Sequence, residues 1–294
     1  MASSSTESSA FARAAGAAQS EPASRELLFG LLDRYVDALL LHDPAGVPFA
    51  SGLRATENFA PAKPGEGLWK TIGGISYRQS VADASTGEIA FFGGGTEAGK
   101  RILLGIRLKQ REGKIAEAET FISREGCHPI FSPELLVAPR HSWDIVLPED
   151  ERSPRAKLIQ IVDKYFDGIV AGDPYSVPLH PDCNRVENGA QTTNNPPRFP
   201  ASVHSNMKLL NYIAKIRDRR YPIVDEKRGL VVALVSFDVP GVSDPVGLDR
   251  SASAPGALGA RSVHIFELFK VESGRIREIL AFLNNVPLGA HAGW

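Results

Sequence analysis

Side chains able to hold or move a proton crowd together between Ile161 and His204: Tyr165, His180, Arg185, Glu187, Asn188, Asn195 and His204 all fall in this stretch. A phenol donates a hydrogen bond to an oxygen that gains negative charge, and a histidine or glutamate takes up and releases protons near neutral pH. Arginine and amide side chains orient a polar substrate. The set spells acid–base chemistry on a small organic molecule. Tyr165 would stabilise or exchange a proton, His204, His180 or Glu187 would act as base, and Arg185, Asn188 or Asn195 would orient the substrate. Each also has a plain structural reading: a core tyrosine with a partnered hydroxyl, a surface histidine, a solvated strand glutamate. Later in the chain His264 alternates with Phe266, while Glu267 shares the face of Val263, Ile265 and Phe269. One of the two faces a core, and alternation alone leaves open which.

The elements that must position these residues occur twice. Leu31 to Asn58 aligns without a gap on Ile161 to Asn188 at a constant offset of 130 residues. Tyr35 matches Tyr165, Asp43-Pro44 matches Asp173-Pro174, and Glu57-Asn58 matches Glu187-Asn188. A gapless match over a helix and the strand after it is internal duplication. The closing hairpin repeats as well, with Gly113-Lys114-Ile115 matching Gly274-Arg275-Ile276 and Phe121 matching Phe282. In the first copy Tyr35, Asn58 and Trp69 are the candidate pocket residues, but Ala50 stands where the second has His180, and Ala55 where it has Arg185. Polar groups gather in the second copy, as expected when one of two pockets specialises.

Apolar residues at helical spacing predict helices over Glu26 to His42 and Ala156 to Ala171, each stopped by Asp-Pro. Antiparallel strand candidates follow each helix, and a longer helix is expected over Ala201 to Ala214. A helix followed by a run of strands is an α+β pattern rather than alternating βαβ. Residues 1–24, rich in Ala and Ser, read as a disordered leader, 25–126 as the first unit, 127–154 as a proline-bearing linker, and 155–294 as the second unit with a Gly/Pro/Ser/Ala insertion at 240–261.

RYVDALLLHDPAGV with TEN, and KYFDGIVAGDPYSV with VEN, resemble the opening of the nuclear transport factor 2-like superfamily, especially its ketosteroid isomerase and SnoaL-like branches. The second copy, with HPDCNRVENGAQTTNN, is also similar to a family of uncharacterised fungal and bacterial proteins of the same type. The resemblance implies two tandem cone-shaped α+β barrels, each a curved antiparallel sheet wrapped by helices around a pocket. It places Tyr35 and Tyr165 where the isomerases keep an oxyanion-binding tyrosine, and Asn58 and Asn188 at or beside their general base. An amide cannot take a proton in that role, so the isomerase mechanism does not carry over intact. The isomerases' second oxyanion donor would fall near Gly105 and Phe266, neither of which donates from its side chain.

A formal net charge of -1 gives no general argument for nucleic acid or a basic membrane contact. No apolar run reaches the roughly 18 residues of a membrane span. Two cysteines, Cys127 and Cys183, fit a reducing compartment, and a cytoplasmic location is expected. His and Cys are scattered, and no metal, cofactor or phosphate-loop pattern is present. The first expectation is a cofactor-independent lyase or isomerase acting on a hydrophobic aromatic molecule, lignin-derived or polyketide-like, in a homo-oligomer. A non-catalytic binding or assembly module is the second. An epoxide-hydrolase-type hydrolase, using Glu117 with Glu119 as a carboxylate pair, is the third.

Overall fold

The computed structural model describes residues 23–196, 198–241 and 259–294. The expected leader, apart from its last two residues, and most of the expected insertion lie outside them.

Each half opens on one long amphipathic helix. In α1 (Arg25–Leu40), Leu28, Leu31, Leu32, Tyr35, Val36 and Leu39 form one buried stripe, and Ser24 caps the helix by accepting from Leu27 N at 3.1 Å. In α3 (Arg155–Ala171), Leu158, Ile161, Val162, Tyr165, Phe166 and Ile169 repeat the stripe, and Gly172 ends the helix at φ 65°. After each helix comes a long strand and a two-residue one: β1 (Phe49–Glu57) and β2 (Ala60–Pro61), then β7 (Leu179–Glu187) and β8 (Ala190–Gln191).

The first half continues through the short α2 (Leu68–Thr71) into β3 (Ile72–Asp83), β4 (Glu88–Glu97), β5 (Lys100–Arg111) and β6 (Lys114–Ser123). The second continues through α4 (Val203–Met207) into β9 (Lys215–Asp225), β10 (Leu230–Val239), β11 (Arg261–Glu272) and β12 (Arg275–Pro287). Strand order is β2-β1-β6-β5-β4-β3 in one sheet and β8-β7-β12-β11-β10-β9 in the other. The match is element for element, so the chain is two tandem α+β cones. Within each sheet all pairs are antiparallel except β1 with β6 and β7 with β12. Register shifts along β3–β4 and β9–β10 bend the strands around the helix. The linker between the halves contains three 3-10 turns, at Pro133–Leu135, His141–Trp143 and Glu149–Glu151. The long helix expected over Ala201 to Ala214 is instead α4 and a 3-10 turn at Lys208–Leu210.

Alternation along the strands sends one face inward and the other to the partner half. In β5, Ile102, Leu104, Ile106 and Leu108 pack around α1, while in β11 Val263, Ile265 and Phe269 pack around α3. The opposite faces meet in a third cluster that includes Phe92, Phe121, Phe266, Leu268 and Phe282. Burying one such phenylalanine contributes roughly 1.5–3 kcal/mol, so this seam is a core and not a hinge. Gly105 lies directly beneath Phe266; a β-carbon there would stand 2.8 Å from the ring. Buried charges also cross the seam: Glu119 binds Arg107 at 2.9 Å within its own sheet and Arg220 of the other at 2.6 Å. The crossing is reciprocal, Arg25 of α1 pairing with Asp225 of β9 at 2.8 Å and Arg155 of α3 pairing with Asp83 of β3. Such exchange of equivalent contacts is the mark of a pseudo-two-fold interface. Among the described residues no helix is long and apolar enough to cross a membrane.

Candidate active site

The two cones differ in what fills them. In the first, the Tyr35 ring meets Trp69 edge-on at 5.2 Å and Phe49 at 6.3 Å, leaving a hollow of about 10 Å³. Trp69, expected to contact substrate, is the plug, and Tyr35 is a core phenol. Glu57 is occupied in holding the start of α2, accepting from Leu68 N at 2.8 Å.

The second cone keeps a cavity of about 180 Å³ between α3, the sheet and the α4 region. Much of its wall is apolar, with Phe237, Val239, Val263, Ile265 and Leu283 among the lining residues. An engineered apolar cavity of about 150 Å³ holds benzene, whereas drug-sized ligands need roughly 300–1,000 Å³. A single ring or a molecule of that bulk fits, and a polycyclic one does not.

Arg185, on β7, organises the polar end. Its Nη1 donates to the Tyr165 hydroxyl at 3.1 Å, its Nη2 to Asn206 Oδ1, and its Nε to Thr192 Oγ1 at 3.3 Å, with Glu187 Oε2 also 3.3 Å from Nε. Burial disfavours the guanidinium, but Glu187 and Tyr165 outweigh it and hold the group charged above its usual range. Every Arg185 nitrogen thus has an internal partner, so the residue positions its neighbours instead of gripping a substrate as the sequence suggested. The Tyr165 oxygen receives a hydrogen bond from Arg185, which leaves its own proton free to donate elsewhere. Burial pushes that phenol above its ordinary range against the pull of Arg185, so it stays neutral and a donor.

Glu267 enters from β11. It is 3% exposed, lines the cavity, and its Oε2 has no hydrogen-bond partner. Burial first, and then the nearby Glu187, push its carboxyl up to about 8 against the opposing pull of Arg185. Near neutral pH it holds a proton that it can release, the property required of a general acid–base group. Strand alternation therefore resolves in favour of Glu267. His264, expected to bind substrate, faces the seam, where its ring stacks on Phe59 at 4.1 Å and its Nδ1 shares a hydrogen with Ser236 Oγ at 2.8 Å. Phe266, near which the resemblance put the position of a second donor, belongs to the seam.

Several expected site residues do other work. Asn188 has φ 42°, its Oδ1 accepts from Leu283 N at 2.8 Å, and its Nδ2 donates to Leu283 O and Ile130 O at 2.9 and 3.0 Å. Asn58 repeats the φ and the bonds, here to Ile122. Both are turn residues, chosen because asparagine tolerates the left-handed region and bonds the backbone. His204 lies on the outer side of α4 beside Tyr175, at 5.9 Å, and it is Asn206 that reaches Arg185. His180 is a half-exposed strand residue whose Nδ1 accepts from Asp182 N at 3.1 Å. Asn195 donates to Gln191 O at 2.9 Å and lines a different hollow. Glu117 and Glu119, the expected carboxylate pair, are bound to Arg107 at 2.8 and 2.9 Å on the seam face. Of the named candidates, Tyr165, Arg185, Glu187 and Glu267 line one cavity. The alignment singled out the first three; it did not reveal Asn206, Thr192 or Tyr212, which have no distinctive spacing. Among the described residues no cluster of His, Cys, Asp and Glu could hold a metal ion.

Residues 151–283 match a family model described as a domain of unknown function (DUF8021). No curated protein matches. Similar solved structures each correspond to somewhat less than half of the chain. An NTF2-like protein from Cytophaga hutchinsonii is 17% identical over 46% of this chain and 99% of its own, with a TM-score of 0.30. A putative isomerase from Bacillus subtilis is 12% identical over 44% and 87%, at 0.34. An epoxide hydrolase of LEH-like type from M. tuberculosis is 14% identical over 44% and 84%, at 0.30. The architecture given above rests on strand order, not on these likenesses.

Proposed function

We propose that the second cone is the active site of a cofactor-independent lyase or isomerase that transfers a proton on a compact, hydrophobic ring compound carrying a carbonyl or phenolic oxygen. The reading rests on one observation: Glu267 sits unpartnered in an apolar hollow that it shares with the Tyr165 hydroxyl. The substrate oxygen takes the hydrogen bond that Tyr165 has free to give. Ionised Glu267 removes a proton from the carbon next to the carbonyl, and the electron pair moves onto the oxygen as an enolate. The same carboxyl then returns the proton to another carbon, completing an isomerisation, or to a departing hydroxyl, releasing water. Arg185 holds Tyr165 in place and pairs with Glu187.

The test is exchange with deuterated water. Single-ring ketones and phenolic ketones, including lignin-type fragments, are incubated with the full chain and followed by NMR. Wild type should incorporate deuterium next to the carbonyl. Glu267→Gln should slow this by about 10²–10⁴-fold, the usual contribution of a general acid–base group. Tyr165→Phe should lower kcat more than it raises KM. Exchange that persists undiminished in both variants would remove the reading. A second reading, binding without turnover, is supported by the internal saturation of Arg185; it predicts ligand binding with no exchange.

A further inference from the structure

A second hollow of about 180 Å³ lies where the linker crosses the seam, and it shares no lining residue with the cavity around Tyr165. Three segments build it. Tyr77 comes from β3 of the first half, Arg140 and Trp143 from the linker, and Val186, Glu278 and Leu280 from the second sheet. Glu278 is 8% exposed, and its Oε2 has no hydrogen-bond partner; the nearest cation, Arg140 Nη1, stands 3.6 Å away. Tyr77 is 3% exposed, and no described residue hydrogen-bonds its hydroxyl or the indole of Trp143. Burial, set against Arg140, pushes the Tyr77 phenol up to about 12, so it remains a donor. Buried polar atoms are nearly always partnered, so the bare Glu278 oxygen, facing a hollow that a phenol, an indole and a guanidinium also line, marks a place for a small polar molecule.

We infer that this hollow binds a small α-amino or α-hydroxy acid. The Glu278 carboxylate takes the ammonium or hydroxyl hydrogen. Tyr77 O–H, the Trp143 indole and Arg140 offer donors to the acid's carboxylate, and Val186 with Leu280 receives a short apolar side chain. Opposite charges on Glu278 and Arg140 suit a molecule with a donor and an anion on adjacent atoms. Because the walls come from both halves and the linker, occupancy ties the three together and raises the melting temperature by mass action.

The full chain is titrated calorimetrically with L-valine, with 2-hydroxyisovalerate, and with isobutyrate, which lacks the donor. The first two should bind in the millimolar range or tighter, with isobutyrate about tenfold weaker or worse, the loss expected when a charge-assisted hydrogen bond is missing. Glu278→Gln and Tyr77→Phe should each weaken L-valine binding, Glu278→Gln by about tenfold, and Glu267→Gln should leave it unchanged. No binding by any probe, isobutyrate matching valine, or valine binding indifferent to Glu278→Gln would overturn the inference. Should the variants misfold, a crystal of the wild-type chain grown with L-valine decides: density between Tyr77 and Glu278 supports it, and density elsewhere or none overturns it.

Discussion

Glu267 and His264 make opposite demands on pH. Glu267 holds its proton up to about 8 in the folded chain, against 4.5 for an ordinary glutamate. Between those values the folded state binds more protons than the unfolded one, so the Glu267 contribution to stability is complete below 4.5 and is lost as pH rises through 8. The slope reaches up to about 1.4 kcal/mol per pH unit. Urea midpoints across this range should fall for wild type and flatten for Glu267→Gln; parallel curves would mean that the carboxyl titrates normally. Arg185 acts through its neighbours. Arg185→Met leaves Glu187 without its cation and Tyr165 without its donor, and should destabilise the chain by about 3–5 kcal/mol in denaturant titration, as the loss of one partner from a buried pair does. His264 pulls the other way. Burial lowers it to about 4 from an ordinary 6.5, so its contribution to stability is full above 6.5 and is lost as pH falls through 4.

At the level of helices and turns, the repeat was readable because amphipathic spacing and the Asp-Pro stop depend only on local chemistry. Asn58 and Asn188, expected in the pockets, hold turns instead, for an instructive reason. A residue that recurs at one position in both copies is equally well explained by a backbone angle, and φ 42° at both positions is that explanation. Asn188→Ala loses three hydrogen bonds and strains the turn; it should cost about 2–4 kcal/mol of unfolding free energy, whereas Asn188→Gly, which keeps the angle, should cost less. The expected helix to Ala214 pointed to His204, but α4 stops after Met207 and presents Asn206 to Arg185. Helix length decided which polar residue meets the cavity, and length is set by packing that a helical pattern does not contain. Glu267 against His264 was a choice between two faces of one strand, settled only by knowing which side of the sheet α3 covers.

Across the whole molecule, the duplicated sheets bury one face against each other, which turns the charges of Arg107, Glu117 and Glu119 from pocket groups into a seam network. The sequence shows that there are two copies but not which faces meet, since both faces of β5 carry apolar residues. Adding a β-carbon at Gly105 must displace the Phe266 ring, so Gly105→Ala should lower stability by about 1–3 kcal/mol. Pairing it with Phe266→Leu should recover part of that loss; strict additivity of the two would show that they do not touch. Gly105 and Phe266 occupy equivalent places in the two copies, 161 residues apart. Two early copies placed together would therefore set empty space against empty space, and two late copies would set ring against ring. Glycine against ring is a fit that only unlike modules make, and one polypeptide carrying both supplies them in equal number.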